Sequence, residues 1–500
     1  MRTAGFGAHG LVDGGPEIVR ENPARHGEVV GTLATTTADG VARVIEGADE
    51  ASGEWAETSL EDRVGLLRQG ARAVADSADE LAPLLARELG KPVADSAGEM
   101  GFAAAFLTWV CDRVGDVCAD RVVDDDAGRV VLQRVPFGVI SAIVPWNAPL
   151  ILSSLKVAPA LATGNVIVVK PSPLAPFAVT EALRRIAEHL PPGVLSVVHG
   201  EAEVGGAMVT DPRVRKVAFT GGATVAHHVL AGCAEQLTPA VLELGGNDAA
   251  VVLDDLTFTD EVMERMVFGA LLTSGQVCMA AKRIYVPQVR LDEFVERFVA
   301  AADRVLVCGD PLDPTVTIGP VVNEAALHRI EGLLDDARTS GGGSGGARVV
   351  PLGRTTADWD RGDGWFVRPT LVTGASAESS IVRDEQFGPT VPVLGYRDLD
   401  DAVRQANATE SGLGSSVWSD DTERAFRVGR RLEAGMTFIN CHNRAGMSLR
   451  VPFGGVKRSG FGREFGDEGI VEFTQTHALH LPGAIRDAAG TAPKGNAYPT

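Results

Sequence analysis

The 500-residue chain is predicted to fold as a doubly wound α/β protein, and three observations predict it. Short β-rich runs alternate with helical patterns over most of the length. Runs such as Val166–Val169 (VIVV) are continuously apolar, as buried parallel strands are. The whole rhythm restarts after about Asp248, so two α/β units are expected in series.

The elements follow in order. Leu60–Leu89 carries apolar residues at helical spacing, in one long helix or two shorter ones. The apolar run around Gly138–Pro145 reads as one buried strand. Val166–Val169 leads through a Pro-rich turn into a helix over Ala178–Leu190. A strand at Val194–Val198, a helix near Val204–Thr210 and a strand at Lys216–Phe219 close the first series. The second has a strand at Ala249–Leu253, a helix at Asp260–Thr273, a strand at Arg283–Val286 and a helix at Leu291–Val305, and runs on to about Asn440. Ser340–Gly346 (SGGGSGG) reads as a flexible surface loop, and Ala484–Thr500 and the first fifteen or so residues as fraying ends.

Composition excludes several classes. A net charge of −20 with no basic stripe makes nucleic acid a poor partner. No apolar run approaches the roughly 18–20 residues of a membrane span, and the first residues lack the apolar core of a signal peptide. A cytoplasmic protein without membrane partner is expected. The six cysteines, at 111, 118, 233, 278, 308 and 441, form no C-x-x-C pair and no zinc-ligand cluster, so no metal is expected. Each is core filler or a working thiolate.

Five segments carry candidate chemistry. In Gly275–Arg283 (GQVCMAAKR) a cysteine follows a glycine that allows a tight backbone; Cys278 is a nucleophile presented with its own N–H, or simply buried. In Leu242–Asp248 (LELGGND), Glu243 ends an apolar strand; it is half of a buried ion pair, or a base of raised pKa. In Val144–Pro149 (VPWNAP), Asn147 is a turn cap or a donor aimed at an oxyanion. Lys170, in KPSP, ends a buried strand, solvated or facing the ligand crevice. In Phe219–Ala226 (FTGGATVA) a strand ends in Thr-Gly-Gly before a helix, which suits a pyrophosphate but lacks the G-x-G-x-x-G pattern.

Taken in order and at their spacing, with Cys278 35 residues after Glu243, these segments resemble the aldehyde dehydrogenase superfamily. GDPLDPTVTIGP (309–320), EQFGP (385–389) and PFGGVKRSGFGRE (452–464) extend the resemblance, which covers roughly residues 15–482. It implies a Rossmann-like parallel-sheet cofactor domain, an α/β catalytic domain and a small β extension for oligomerisation. The implied division is 1–118 and 137–246 for the cofactor domain, 247–448 for the catalytic domain, 449–467 returning to the first, 119–136 and 468–483 for oligomerisation, and 484–500 as a tail. A homodimer or homotetramer follows.

The resemblance also implies roles. Cys278 adds to an aldehyde, and its backbone N–H with Asn147 holds the oxyanion. Oxidation by the nicotinamide leaves a thioester, which water activated by Glu243 hydrolyses to a carboxylic acid. Lys170 falls on the adenosine ribose, with Ser172 and Pro173 beside it. Gly221, Gly222 and Thr224 flank the pyrophosphate. Val144, Pro145 and Trp146 form a wall of the cofactor site, Leu244 and Gly245 line the nicotinamide, Glu385 binds its ribose and Phe387 packs near it.

Two departures stand out. Where many NAD-specific relatives carry a glutamate three residues after the lysine, this chain has Pro173; NAD remains the expected cofactor, with NADP admitted. The last glycine of the pyrophosphate turn is Ala226. In the aldehyde pocket, Ala148 and Leu155 stand where relatives often place aromatics, so a wide apolar mouth is expected, with Leu152, Val277 and Met279 nearby. Phe106 and Trp109, on a helix at Phe102–Val114, and His442, in a loop with Arg444 and Arg450, are further candidate lining. A medium or bulky aldehyde, aromatic or branched, follows. A CoA-acylating enzyme is disfavoured by Glu243, and a catalytically silent binding protein by the joint presence of Asn147, Glu243 and Cys278.

Overall fold

A computed structural model describes residues 1–340, 347–357, 359, 361–483 and 485. The expected loop at 341–346 and most of the expected tail at 484–500 lie outside the described residues.

The first parallel sheet is built as the alternating pattern requires. Its parallel strands run in the spatial order Leu195–Val197, Val166–Lys170, Val139–Ile143, Val214–Thr220, Ala240–Glu243. In chain order this is 3-2-1-4-5, the doubly wound arrangement with a switch point between Val139–Ile143 and Val214–Thr220. Val166–Lys170 is buried at every position, because helices cover both faces. Register places Ile143 opposite Lys170 and Thr220 opposite Glu243, so the carboxyl ends form one edge.

The second sheet has seven strands, six of them parallel, around Asp248–Val252 and Ala281–Pro287. It meets the first with its opposite edge: Asp248, the loop before Ala281 and the loop before Thr390 all lie at the amino ends of its strands. A third, antiparallel sheet joins Arg121–Asp125, Gly128–Pro136 and Thr474–Pro482.

Two expectations are revised, and one that was left open is decided. The stretch Leu60–Leu89 is two helices, Leu60–Asp76 and Ala78–Leu89, parted at Ser77, whose hydroxyl donates to the Val74 carbonyl. The helix from Asp260 stops at Leu271, because Thr273 and Ser274 turn left-handed (φ 53° and 55°). The first fifteen residues do not fray: Arg2–Thr3 pairs with Val29–Thr36, and Gly5–Gly7 extends the first large sheet beside Leu195–Val197. These two partners are distant in sequence, so local composition gives no sign of them, although Gly5–Gly7 also pairs locally with Gly10–Val12.

Candidate active site

Between the two sheet edges lies an apolar pocket of about 780 Å³, a figure that includes the open solvent at its mouth. Asn147, Glu243 and Cys278 all line it.

Cys278 is delivered by a strained turn. Thr273, Ser274 and Gly275 are three consecutive left-handed residues, rare for β-branched threonine. Gly275 is obligatory there: a Cβ would lie 2.1 Å from the Gly388 carbonyl oxygen. The turn is tied down on every side. The Ser274 hydroxyl donates to the Gly319 carbonyl (2.9 Å), and the Gln276 side chain accepts from the Val322 N–H (2.9 Å). Lys282 donates to the carbonyls of Val277 (2.7 Å) and Cys278. Burial pushes the Cys278 thiol up to about 12, with Lys282 opposing that and Glu385, Asp248 and Glu243 adding to it.

Asn147 is 6% exposed, and its amide nitrogen donates to the Gln276 carbonyl (3.0 Å). That bond uses one of two N–H groups, fixes the amide's orientation and leaves the second for another acceptor.

Glu243 decides between its two readings. It is 4% exposed, lies against Gly454, and neither carboxylate oxygen has a hydrogen-bond partner among the described residues. The nearby buried cation, Lys156, is committed to Glu464 (2.5 Å) and the Thr220 hydroxyl (2.7 Å). Glu243 is therefore not the anion of a buried pair. Burial, and then the Glu464 charge, hold its pKa well above the usual carboxylate range.

The expected cofactor residues are strung along the first sheet's carboxyl edge. Leu244 and Gly245 follow Glu243, Gly221 and Gly222 follow Thr220, Val144, Pro145 and Trp146 follow Ile143, and Lys170 leads to Ser172 and Pro173. The edge fits a dinucleotide. The helix Ala223–Gln236 starts at Gly222 with no side-chain cap, leaving its first N–H groups open, and Thr224 lies exposed in that first turn. Among the described residues the Lys170 amine makes no hydrogen bond or ion pair, and burial pushes it down to about 8 against the pull of Glu201. The Trp146 and Phe387 rings meet edge-to-face at 5.6 Å. Glu385 lies over Gly245, where a Cβ would be 2.3 Å from its carboxylate, and pairs with Lys282 (3.1 Å).

The expected substrate residues divide. Ala148, Leu152, Leu155, Val277 and Met279 line the pocket; Phe106, Trp109 and His442 do not. Phe465 packs at 5.4 Å from Phe106 and 6.0 Å from Phe102, and of these three rings Phe102 and Phe465 face the cavity while Phe106 does not. His442 is 1% exposed, hydrogen-bonded to the Ser416 hydroxyl (2.8 Å) behind the Asp260–Leu271 helix. The sequence reading missed Lys282, Lys156 and Glu464. Lys282 and Glu464 lie inside segments already singled out, Lys156 lies in the helix Pro149–Ala162 that leads to the Lys170 strand, and the rule that a buried charge needs a partner could have raised all three.

Comparison with known proteins agrees with this geometry. The profile described as "Aldehyde dehydrogenase family" matches residues 12–479. A glutarate-semialdehyde dehydrogenase of Pseudomonas aeruginosa is 35% identical over 477 residues, covering 94% of this chain and 95% of the relative. A succinate-semialdehyde dehydrogenase [NADP(+)] of Escherichia coli is 35% identical over 465 residues, covering 92% and 93%. The crystal structure of an NAD-dependent aldehyde dehydrogenase from Sinorhizobium meliloti superposes with a TM-score of 0.90 at 31% identity, covering 96% of this chain and 95% of that one. With its doubly wound edge, its half-buried thiol and its buried carboxyl that has no hydrogen-bond partner among the described residues, the chain belongs to the aldehyde dehydrogenase family, NAD(P)-dependent enzymes that oxidise aldehydes to carboxylic acids.

Proposed function

We propose that Cys278 is the nucleophile, Asn147 the oxyanion donor and Glu243 the hydrolytic base, acting on apolar aldehydes of medium size. The observation that carries this reading is the apolar pocket of about 780 Å³ that has all three residues in its wall. The Cys278 thiolate adds to the aldehyde carbon, and the carbonyl electron pair moves to oxygen. The free N–H of Asn147 and the Cys278 backbone N–H receive that oxyanion. Lys170, Gly221, Gly222, Thr224 and Glu385 along the carboxyl edge would hold a nicotinamide dinucleotide, which when bound would supply the two-electron oxidant for the carbon attached to Cys278 and a positive ring that favours the thiolate. The acyl group is left on Cys278 as a thioester. Water deprotonated by Glu243 adds to the thioester carbonyl, sulfur leaves as thiolate, and the acid departs.

Ile151, Leu152, Leu155, Met447, Phe453 and Phe465 give the pocket walls suited to an aromatic or branched substrate. A second reading rests on Arg444, which lines the pocket and pairs with Asp95 at 3.0 Å: a carboxylate on the substrate tail would compete for that guanidinium. One panel separates the two. NAD(P)H formation is expected to favour aromatic and branched aldehydes over acetaldehyde, with no increase in steady rate on adding CoA. Preference for carboxylate-tailed aldehydes, lost selectively in Arg444→Met, would establish the second reading. Preference for acetaldehyde would exclude both.

The third sheet supports assembly into a homodimer or homotetramer. All of Arg121–Asp125 is exposed at its edge, and Val122 (50%), Val123 (41%), Leu479 (47%) and Leu481 (42%) put apolar surface on it. Changing Val122 and Leu479 to lysine together is expected to lower the mass measured by light scattering to that of a smaller species. An unchanged mass would place the interface elsewhere.

A further inference from the structure

We infer that Glu201 makes this enzyme prefer NAD to NADP, taking the place of the acidic residue that Pro173 does not provide. The inference rests on the reading that Lys170 receives the adenosine ribose.

The geometry starts from two neighbouring strands. Val166–Lys170 and Leu195–Val197 are parallel, with Val197 opposite Val169, and the Val198 N–H donates to the Val169 carbonyl. The chain beyond each strand therefore emerges at the same edge, side by side: Lys170 from one, Gly200 and Glu201 from the other. The Glu201 carbonyl accepts from the Gly205 N–H (3.2 Å), and a Cβ on Gly205 would lie 3.9 Å from Cδ and Cε of Lys170. The turn that carries Glu201 thus lies over the lysine side chain.

Both groups are uncommitted. Glu201 is exposed at the start of the Ala202–Thr210 helix, and its carboxylate caps none of that helix's N–H groups. The Lys170 amine makes no hydrogen bond or ion pair among the described residues. The cation set around them is thin. His199 is fully buried beneath the site, and burial followed by the charges of Lys170 and Arg184 pushes it down to about 3, so it is neutral. Arg184 is spent on Glu181 (2.8 Å).

A cation and an anion that make no hydrogen bond or ion pair among the described residues suit a vicinal diol. A carboxylate accepts from ribose hydroxyls, whereas a 2′-phosphate demands cations and repels a carboxylate. Pro173 removes the acid on one side of the ribose; Glu201 supplies one from the adjacent strand.

Glu201→Gln is the direct test, with Glu203→Gln, exposed in the same helical turn, as control. Dissociation constants for NAD and NADP are measured by calorimetry, and kcat/KM for both with one good aldehyde. The wild type is expected to prefer NAD. Glu201→Gln is expected to shift the NAD-to-NADP ratio toward NADP by about tenfold or more, the scale of one hydrogen bond to a charged group, in binding and in kcat/KM alike. Glu203→Gln is expected to leave the ratio unchanged. Wild-type preference for NADP, a ratio insensitive to Glu201→Gln, or an equal shift in Glu203→Gln overturns the inference. Failure of the underlying reading looks different: Lys170→Ala would then leave the binding of both dinucleotides intact.

Discussion

Cys278→Ser is expected to lower kcat by at least about 10³-fold while leaving dinucleotide binding and the melting temperature close to wild type. The substitution is nearly isosteric, so the turn held by Ser274, Gln276 and Lys282 survives it. What changes is chemistry. A hydroxyl ionises far less readily than a thiol, and an alkoxide is a poorer leaving group than a thiolate, so both acylation and deacylation suffer. None of the other five cysteines can substitute, because none lines the pocket. The environment adds a second observable. With the thiol held up to about 12 by burial, alkylation by iodoacetamide should be slow at pH 7 and accelerate as pH rises. Bound dinucleotide should accelerate it at fixed pH if the positive ring favours the thiolate. Full turnover in Cys278→Ser would remove Cys278 from the mechanism.

The parts of this site that were legible in the sequence share a physical property. Asn147, Glu243 and Lys170 follow or end short buried strands, and in a doubly wound sheet every strand's carboxyl end reaches the same edge, so their convergence follows from topology. Cys278 was legible through Gly275, whose left-handed backbone marks a forced turn. Lining residues were less legible, because they depend on which of several neighbouring side chains a distant segment covers. Phe102, Phe106 and Trp109 share one helix face, and Phe465, more than 350 residues away, packs against both Phe102 and Phe106, of which only Phe102 faces the cavity. His442 has the composition of a mouth residue and is instead sealed by Ser416 and the Asp260–Leu271 helix. The Lys156–Glu464 pair spans 308 residues, and no local pattern couples its halves.

That pair sets up the last prediction, Glu243→Gln. Lys156 is paired with Glu464 at 2.5 Å, so Glu243 sits beside an ion pair whose anion opposes its ionisation more than the cation favours it, and not beside a free cation. Burial and the Glu464 charge outweigh the opposing pull of Lys156 and Arg463, and its oxygens have no donor among the described residues. A carboxyl so placed holds its proton to higher pH than an ordinary carboxylate and is a stronger base once it ionises. The sign follows directly. Hydrolysis requires the ionised form, so the deacylation rate should fall as pH drops through the raised pKa and level off above it. Glutamine keeps the shape and removes the base. The variant should form the thioester in one rapid burst of NAD(P)H, equal to the concentration of sites, then turn over roughly 10²–10⁴-fold more slowly, the usual worth of a general base. The pH limb assigned to Glu243 should vanish from the slow phase, and mass spectrometry of the quenched enzyme should find the acyl adduct on the peptide carrying Cys278. A variant that shows neither burst nor adduct would place Glu243 in the acylation half-reaction, as the group that takes the thiol proton. A variant with wild-type steady rate would show that the unpaired carboxyl is structural.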